Sequence, residues 1–188
     1  MIQFWSLYSH SYTFYAPKIN KHLRGNIMKV ISVFLISLIF SSVAIAEEAS
    51  MVSTKRLTMN TALMIAQAAV AECTTKGIQI GVTVVDREGI VQVTLRDTIA
   101  AQITVPISKN KAYTAANFNS ATSAMVDRAN TAVGRTPGLV MSAGGLPVQV
   151  GGALVGAVGV SGAPSGITDE ECAQAGIDAV LDDLEMSM

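Results

Sequence analysis

An α+β domain, an antiparallel sheet of about five strands flanked by helices, is the fold class this sequence predicts. Three observations carry it. Apolar residues recur at helical spacing on both sides of a block of β-branched runs. Those runs come in pairs joined by two or three turn residues, a connection that only antiparallel neighbours allow. No repeat of 20–50 residues is present to argue for a solenoid.

Thr58 is placed to cap a helix running to about Lys76, with Met59, Ala62, Leu63, Ala66, Ala69, Val70 and Cys73 as its apolar stripe and Gly77 to end it. Residues 80–86 and 90–96 read as two strands joined by the turn Arg87-Glu88-Gly89. A polar connection over 98–104 leads to a helix over about 107–119 and a short one near 122–130. Residues 134–138, with Pro137, read as a loop. Residues 139–163 carry no charge, yet Pro147 and the pairs Gly144-Gly145 and Gly151-Gly152 make them a poor spanning helix. Three strands fit better, over 139–142, 146–150 and 153–160, with Gly151-Gly152 as a turn requiring positive φ. Thr168-Asp169-Glu170-Glu171 reads as a capping box opening a last helix to about Glu185.

The chain has 188 residues, 50% hydrophobic and 14% charged, with a net charge of −1. This is material for one domain with a real core. It excludes intrinsic disorder, and it excludes a nucleic-acid binder working through a basic patch. Met28-Lys29, the apolar run over 30–40, and small residues ending in Ala44-x-Ala46 have the three-part layout of an export signal. The apolar run is shorter than the ~20 residues a spanning helix needs. The expected organisation is an upstream extension over 1–27, a signal peptide over 28–46, and one domain over 47–188, delivered to the periplasm or secreted. Thirteen basic residues less Lys18, Lys21, Arg24 and Lys29 leave nine against fourteen acids, a net charge of −5 for that domain. His10, His22 and Trp5 all fall before it. The domain therefore lacks the commonest general base and metal ligand, and no Ser-His-Asp or Cys-His constellation can form.

Several residues are candidates for chemistry, each with a plainer alternative. Cys73 ends the first helix and Cys172 starts the last. If those helices pack antiparallel the two thiols meet, and an exported chain favours a disulfide. Two separately buried thiols are the alternative. The glycines from 144 to 166 match neither GxGxxG nor GxxxxGK[ST], so turns and close backbone approach explain them better than phosphate binding. Lys111-Ala112-Tyr113-Thr114 sets a cation, a phenol and a hydroxyl on one helix. Taken alone, Tyr113 reads as a packed aromatic and Lys111 as a solvated or paired charge. Asp86 and Arg96 are candidates for a cross-strand ion pair. Asp182, Asp183 and Glu185 read as a solvated helix end. Met59, Met64, Met125 and Met141 fall in predicted elements without metal-ligand spacing.

Five segments in this order carry a family resemblance: residues 82–89 with Leu95-Arg96, Lys111-Ala112-Tyr113-Thr114-Ala115, Ala143-Gly144-Gly145-Leu146-Pro147, residues 154–164, and Asp169-Glu170-Glu171. The chain resembles the GlcG/HbpS haem-binding family over roughly residues 57–184. The resemblance implies a profilin-like fold and homo-oligomers, often octamers. It implies haem as cofactor in exported members, one of which serves as a haem and iron sensor accessory. Related domains are fused to corrinoid enzymes, so a carboxylate-binding or corrinoid-related role without haem is the alternative. A threonine is implicated in haem binding in the exported branch, and both Thr114 and Thr122 match that region. Axial histidines of relatives have no counterpart in the expected domain. Tyr113, Lys111 and a methionine remain as axial candidates, with Arg96, Lys111 and Arg128 as cations able to hold a carboxylate. Without a histidine or a nucleophile–base pair no catalytic residue is expected, and the charge balance and the short apolar run lead to no nucleic acid and no membrane span after signal cleavage.

Overall fold

A computed structural model describes residues 50–188, and Ser53–Met188 forms one compact unit. The upstream extension, the export signal, His10, His22 and Trp5 lie outside the described residues.

The elements run α1 (Met59–Thr75), β1 (Gly81–Asp86), β2 (Val91–Arg96), α2 (Thr104–Phe118), a 3₁₀ turn (Thr122–Arg128), β3 (Gly145–Val150), β4 (Ala153–Ser161) and α3 (Gly166–Met186). The sheet is antiparallel throughout, in the order β2-β1-β4-β3. Helices α1 and α3 pack together on one face, and α2 covers the other. Side chains alternate between those faces along a strand. Val82, Val84, Val158 and Val160 join the larger core with Ile65, Ala69, Cys73 and Val180. Val85 and Ala157 join Ala112, Ala115 and Ala116 under α2.

Local chemistry sets the boundaries. The Thr58 hydroxyl accepts from the Thr61 N–H and caps α1. At the other end Gly77 sits at φ +70°, and the Gly77 and Ile78 N–H groups donate to the Thr74 and Cys73 carbonyls, a Schellman ending. The Gly151-Gly152 turn has φ +56° and +79°, the mirror-type turn that matches strand twist. The small side chains of α2 let it ride low on the sheet. A Cβ at Gly159 would lie 2.5 Å from the Ala112 nitrogen and closer still to the Ser108 carbonyl oxygen.

Four sequence expectations need correction. Residues 139–142 are not a strand, so the sheet has four strands rather than five. The Val140 N–H donates to the Thr114 hydroxyl and the Leu139 N–H to the Thr136 carbonyl, which leaves no ladder to join. The last helix starts earlier than the capping box implied. Ser165 caps it by accepting from the Ile167 and Thr168 N–H groups. The second helix, α2, begins at Thr104, inside the segment read as a connection. Asp86 and Arg96 do not pair, because antiparallel register sets Arg96 opposite Gly81, at the far end of β1 from Asp86. Asp86 instead meets Arg56 at 3.2 Å, and Arg96 donates to the Ala100 carbonyl.

The uncharged stretch is folded as the β3–β4 hairpin and its flanks. Among the described residues no helix is long and apolar enough to cross a membrane.

Candidate functional site

Four of the five segments that carry the resemblance converge on one buried polar cluster, while residues 82–89 with Leu95-Arg96 lie outside it. Lys111 leaves α2 toward the end of β4. Its Nζ donates to the Val160 carbonyl at 2.9 Å and to Asp169 Oδ2 at 2.8 Å. Both side chains of this ion pair are only 5% exposed. The other oxygen of Asp169 accepts from the Ala163 N–H at 2.9 Å. Burial raises the Asp169 carboxyl above the usual carboxylate range, against the opposing pull of Lys111 and the Ala163 N–H.

The two glycines make this approach possible. Gly144 has φ +119°, and a Cβ there would fall 2.6 Å from Lys111 Nζ. A Cβ at Gly145 would fall 2.6 Å from the Lys111 carbonyl oxygen. Their backbone donors are claimed by side chains. The Gly145 N–H donates to the Thr122 hydroxyl at 2.8 Å, and the Gly144 N–H to Glu170 Oε2 at 3.1 Å. Ser123 donates to the other Glu170 oxygen at 2.7 Å. Thr114 donates to the Asn110 carbonyl and accepts from the Val140 N–H. Every one of these polar groups is answered by another protein group. The cluster thereby ties residues 140–145 to α2, the 3₁₀ turn and α3.

The candidate residues therefore fall into separate places. Lys111, Thr114 and Thr122 are buried in or beside the cluster. Lys111 and Thr114 share a helix face because they are three residues apart, while Tyr113 lies round the helix toward solvent. Tyr113 is 37% exposed and packs over the β1–β2 turn. Gly89, at φ +82°, makes room for it, since a Cβ there would lie 2.7 Å from the Tyr113 ring. The Tyr113 hydroxyl makes no hydrogen bond to another described residue, and the exposed Ile90 follows that turn. Arg96 is at the other end of β2, about 16 Å along the strand at ~3.3 Å per residue. It does not share a site with Tyr113. Arg128 lies over the Phe118 ring, 5.1 Å from its centroid.

Cys73 and Cys172 form a disulfide, with Cα atoms 5.6 Å apart. It joins the end of α1 to the start of α3, beside Asp169 and Glu170. Lys76 bridges the same two helices through Glu171 at 2.8 Å.

Asp169 and Glu170 were legible only as helix-start acids, since spacing does not reveal that Lys111 returns to them across the sheet. Lys55 and Arg56 gave no sequence signal at all. The structure places them at a cavity of about 210 Å³ whose aliphatic floor includes Leu57, Val150, Val155 and Leu184. A second, shallow cavity of about 240 Å³ lies between Leu146 and Ile167, against Glu170 and Glu171. Among the described residues no group of three His, Cys, Asp or Glu side chains is placed to hold a metal ion.

Comparison with known proteins gives this arrangement a context. A family model described as "Haem degrading protein HbpS-like" matches residues 57–178. A crystal structure of a double-substituted HbpS from Streptomyces reticuli is 37% identical, covering 72% of this chain and 94% of that one, with a TM-score of 0.67. The Klebsiella pneumoniae protein ORFY, of family DUF336, is 25% identical over 70% of this chain and 94% of its own, with a TM-score of 0.65. A PduOC–haem complex is 26% identical over 66% of this chain and 94% of its own, with a TM-score of 0.61. No curated protein matches the chain.

Proposed function

The chain belongs to the HbpS-like family, and from that premise we propose that it is an exported haem-binding protein used for haem sequestration, delivery or sensing. The observation that carries the reading is the match of nearly the whole described domain to a haem-named family, together with a relative of the same fold crystallised with haem.

Neither of the two cavities described among residues 50–188 is large enough to enclose haem, so the proposed site is on the surface. The cavities of about 210 and 240 Å³ are smaller than the ~300–1,000 Å³ typical of enclosed ligand sites. The domain has no histidine to serve as a ligand. Tyr113 is an accessible oxygen donor whose hydroxyl has no partner among the described residues, with the apolar Ile90 and Val91 exposed on the adjoining turn and strand. Tyrosine is an established haem ligand type. Bound there, haem would supply an iron centre open to an oxygen donor. Tyr113 would hold it from one side, and apolar contact would exclude water. Lys111 and Thr114 act behind this surface, by tying α2 to Val160, Asp169 and Val140, and Thr122 holds Gly145 beside them. A second copy of the chain would complete the enclosure, in keeping with the homo-oligomers the family resemblance implies.

A haemin titration of residues 47–188, read by Soret absorbance and light scattering, tests the proposal. The expected result is a saturable red-shifted band near one haem per subunit or subunit pair. Tyr113→Phe is expected to shift the band and weaken binding about tenfold, near 1.4 kcal/mol. An unchanged haemin spectrum at micromolar protein would overturn the reading. It would favour the alternative, a carboxylate-binding protein of the same fold without haem.

A further inference from the structure

Helix α2 lies over β1 and β4 and leaves the same face of the edge strand β2 open. The register shows which residues line that strip. Val85 packs with Ala112, Ala115 and Ala116, and the Thr83 hydroxyl meets that of Ser108 at 3.0 Å, so both point to α2. Val91 stands opposite Val85 and Thr94 opposite Thr83, and directly opposed residues share a face. Val91 and Thr94 therefore face the α2 side of the sheet, yet both are exposed. The helix runs alongside β1, with Thr104 against Gly81 and Tyr113 against Gly89. Lys109 is exposed and lies one turn before Tyr113, about 6 Å along the axis at ~1.5 Å per residue, on the same flank of α2. That flank looks over the strip, whereas Lys111 and Thr114 leave the opposite one.

Lys109 is a cation without an acid. The ion pairs among the described residues engage Arg56, Lys76, Arg87 and Lys111, and none engages Lys109. The turn on which Tyr113 packs carries Asp86 and Glu88, but Arg56 answers both, at 3.2 and 3.0 Å. The charge left over beside Tyr113 is therefore positive.

We infer, resting on the haem reading above, that Lys109 pairs with a haem propionate and selects porphyrins whose carboxylates are free. A haem held at Tyr113 has an acidic edge to place, on a domain that carries more acids than bases. Lys109 supplies the local counter-charge, on a stem long enough to follow the carboxylate. Val91 offers the macrocycle apolar contact. The Thr94 hydroxyl already meets that of Thr83 at 3.1 Å, so recognition of the carboxylate falls to the lysine.

The test titrates the parent, Lys109→Met and Lys109→Arg with haemin and with haemin dimethyl ester, in the same dilute detergent, read by Soret absorbance. The parent is expected to bind haemin about fivefold more tightly than the ester, the scale of an ion pair at a solvent edge. Lys109→Met is expected to lose that preference by weakening haemin alone, with the Soret maximum unmoved because the iron ligand is intact. Lys109→Arg is expected to keep it. The position is exposed, so the ligand-free variants should melt with the parent. A parent that binds acid and ester equally would overturn the pairing and leave the haem reading standing. A preference that survives in Lys109→Met would remove Lys109 as its source. A Soret spectrum that the protein changes with neither porphyrin would overturn the haem reading, and this inference with it.

Discussion

Lys111 and Asp169 form an ion pair taken almost completely out of water, and such pairs are defined more by what happens when one partner leaves than by their net contribution. Lys111→Met strands a buried carboxylate, and the expected cost at pH 7 is about 3–5 kcal/mol. The sign of the pH dependence follows from the Asp169 carboxyl. Burial already raises it above its unfolded value, and losing the cation raises it further. A carboxyl with a raised folded pKa destabilises the native state once pH exceeds the unfolded value, and that loss grows until pH passes the folded pKa. Stability of Lys111→Met should therefore recover as pH falls toward 4. Adding Asp169→Leu should flatten the profile. Urea midpoints at pH 4 and 7 measure both effects, and a pH-independent Lys111→Met would refute the account.

At the scale of elements, two contacts hold the layers. Helix α2 reaches β4 because Gly159 has no side chain. Gly159→Ala forces its Cβ against the Ser108 and Ala112 backbone, which cannot rotate away. A loss of about 1–3 kcal/mol is expected, as for other overpacked sites. A thermal melt within a degree of the parent would show that α2 is free to lift. Helices α1 and α3 are joined by the Cys73–Cys172 disulfide, which spans 99 positions of sequence. Constraining so long a loop contributes about 2–5 kcal/mol. Cys73→Ala with Cys172→Ala should lower the denaturant midpoint accordingly, while Lys76 and Glu171 keep the helix ends adjacent. Equal midpoints for the oxidised parent and the double variant would remove the disulfide from the list of stabilising contacts.

At the largest scale, Ser53–Met188 contains both cores, the four strands and the three α-helices found among the described residues. A chain of residues 53–188 is expected to unfold in one cooperative transition, coincident by circular dichroism and fluorescence. Two separated transitions would mean that the layers are not one folding unit. The layers are unequal, with two helices against one face and α2 alone against the other. That leaves Ile90, Val91 and Tyr113 exposed on and beside the β1–β2 hairpin, on the side where the haem surface is proposed.

Much of this was readable from residues alone. Alternation, Gly-Gly turn chemistry and helical spacing determined the elements, because each depends on neighbours within a few residues. The five ordered segments carried the family. The absence of histidine from residues 47–188 limited the ligand chemistry. The pairing of Cys73 with Cys172 was inferable because both sit at helix ends. Other features were decided only by the tertiary structure. Residues 139–142 looked like a strand, but Thr114 and Thr136 take their amides. Lys111 looked like an available cation, but Asp169, 58 positions on, meets it in the interior. Lys55 carried no signal until the end of α3 came to rest beside it, 133 residues later. The physical reason is common to all three. Local sequence sets the conformation a segment prefers, whereas the partner of a polar group is set by where the sheet and its layers bring distant segments together.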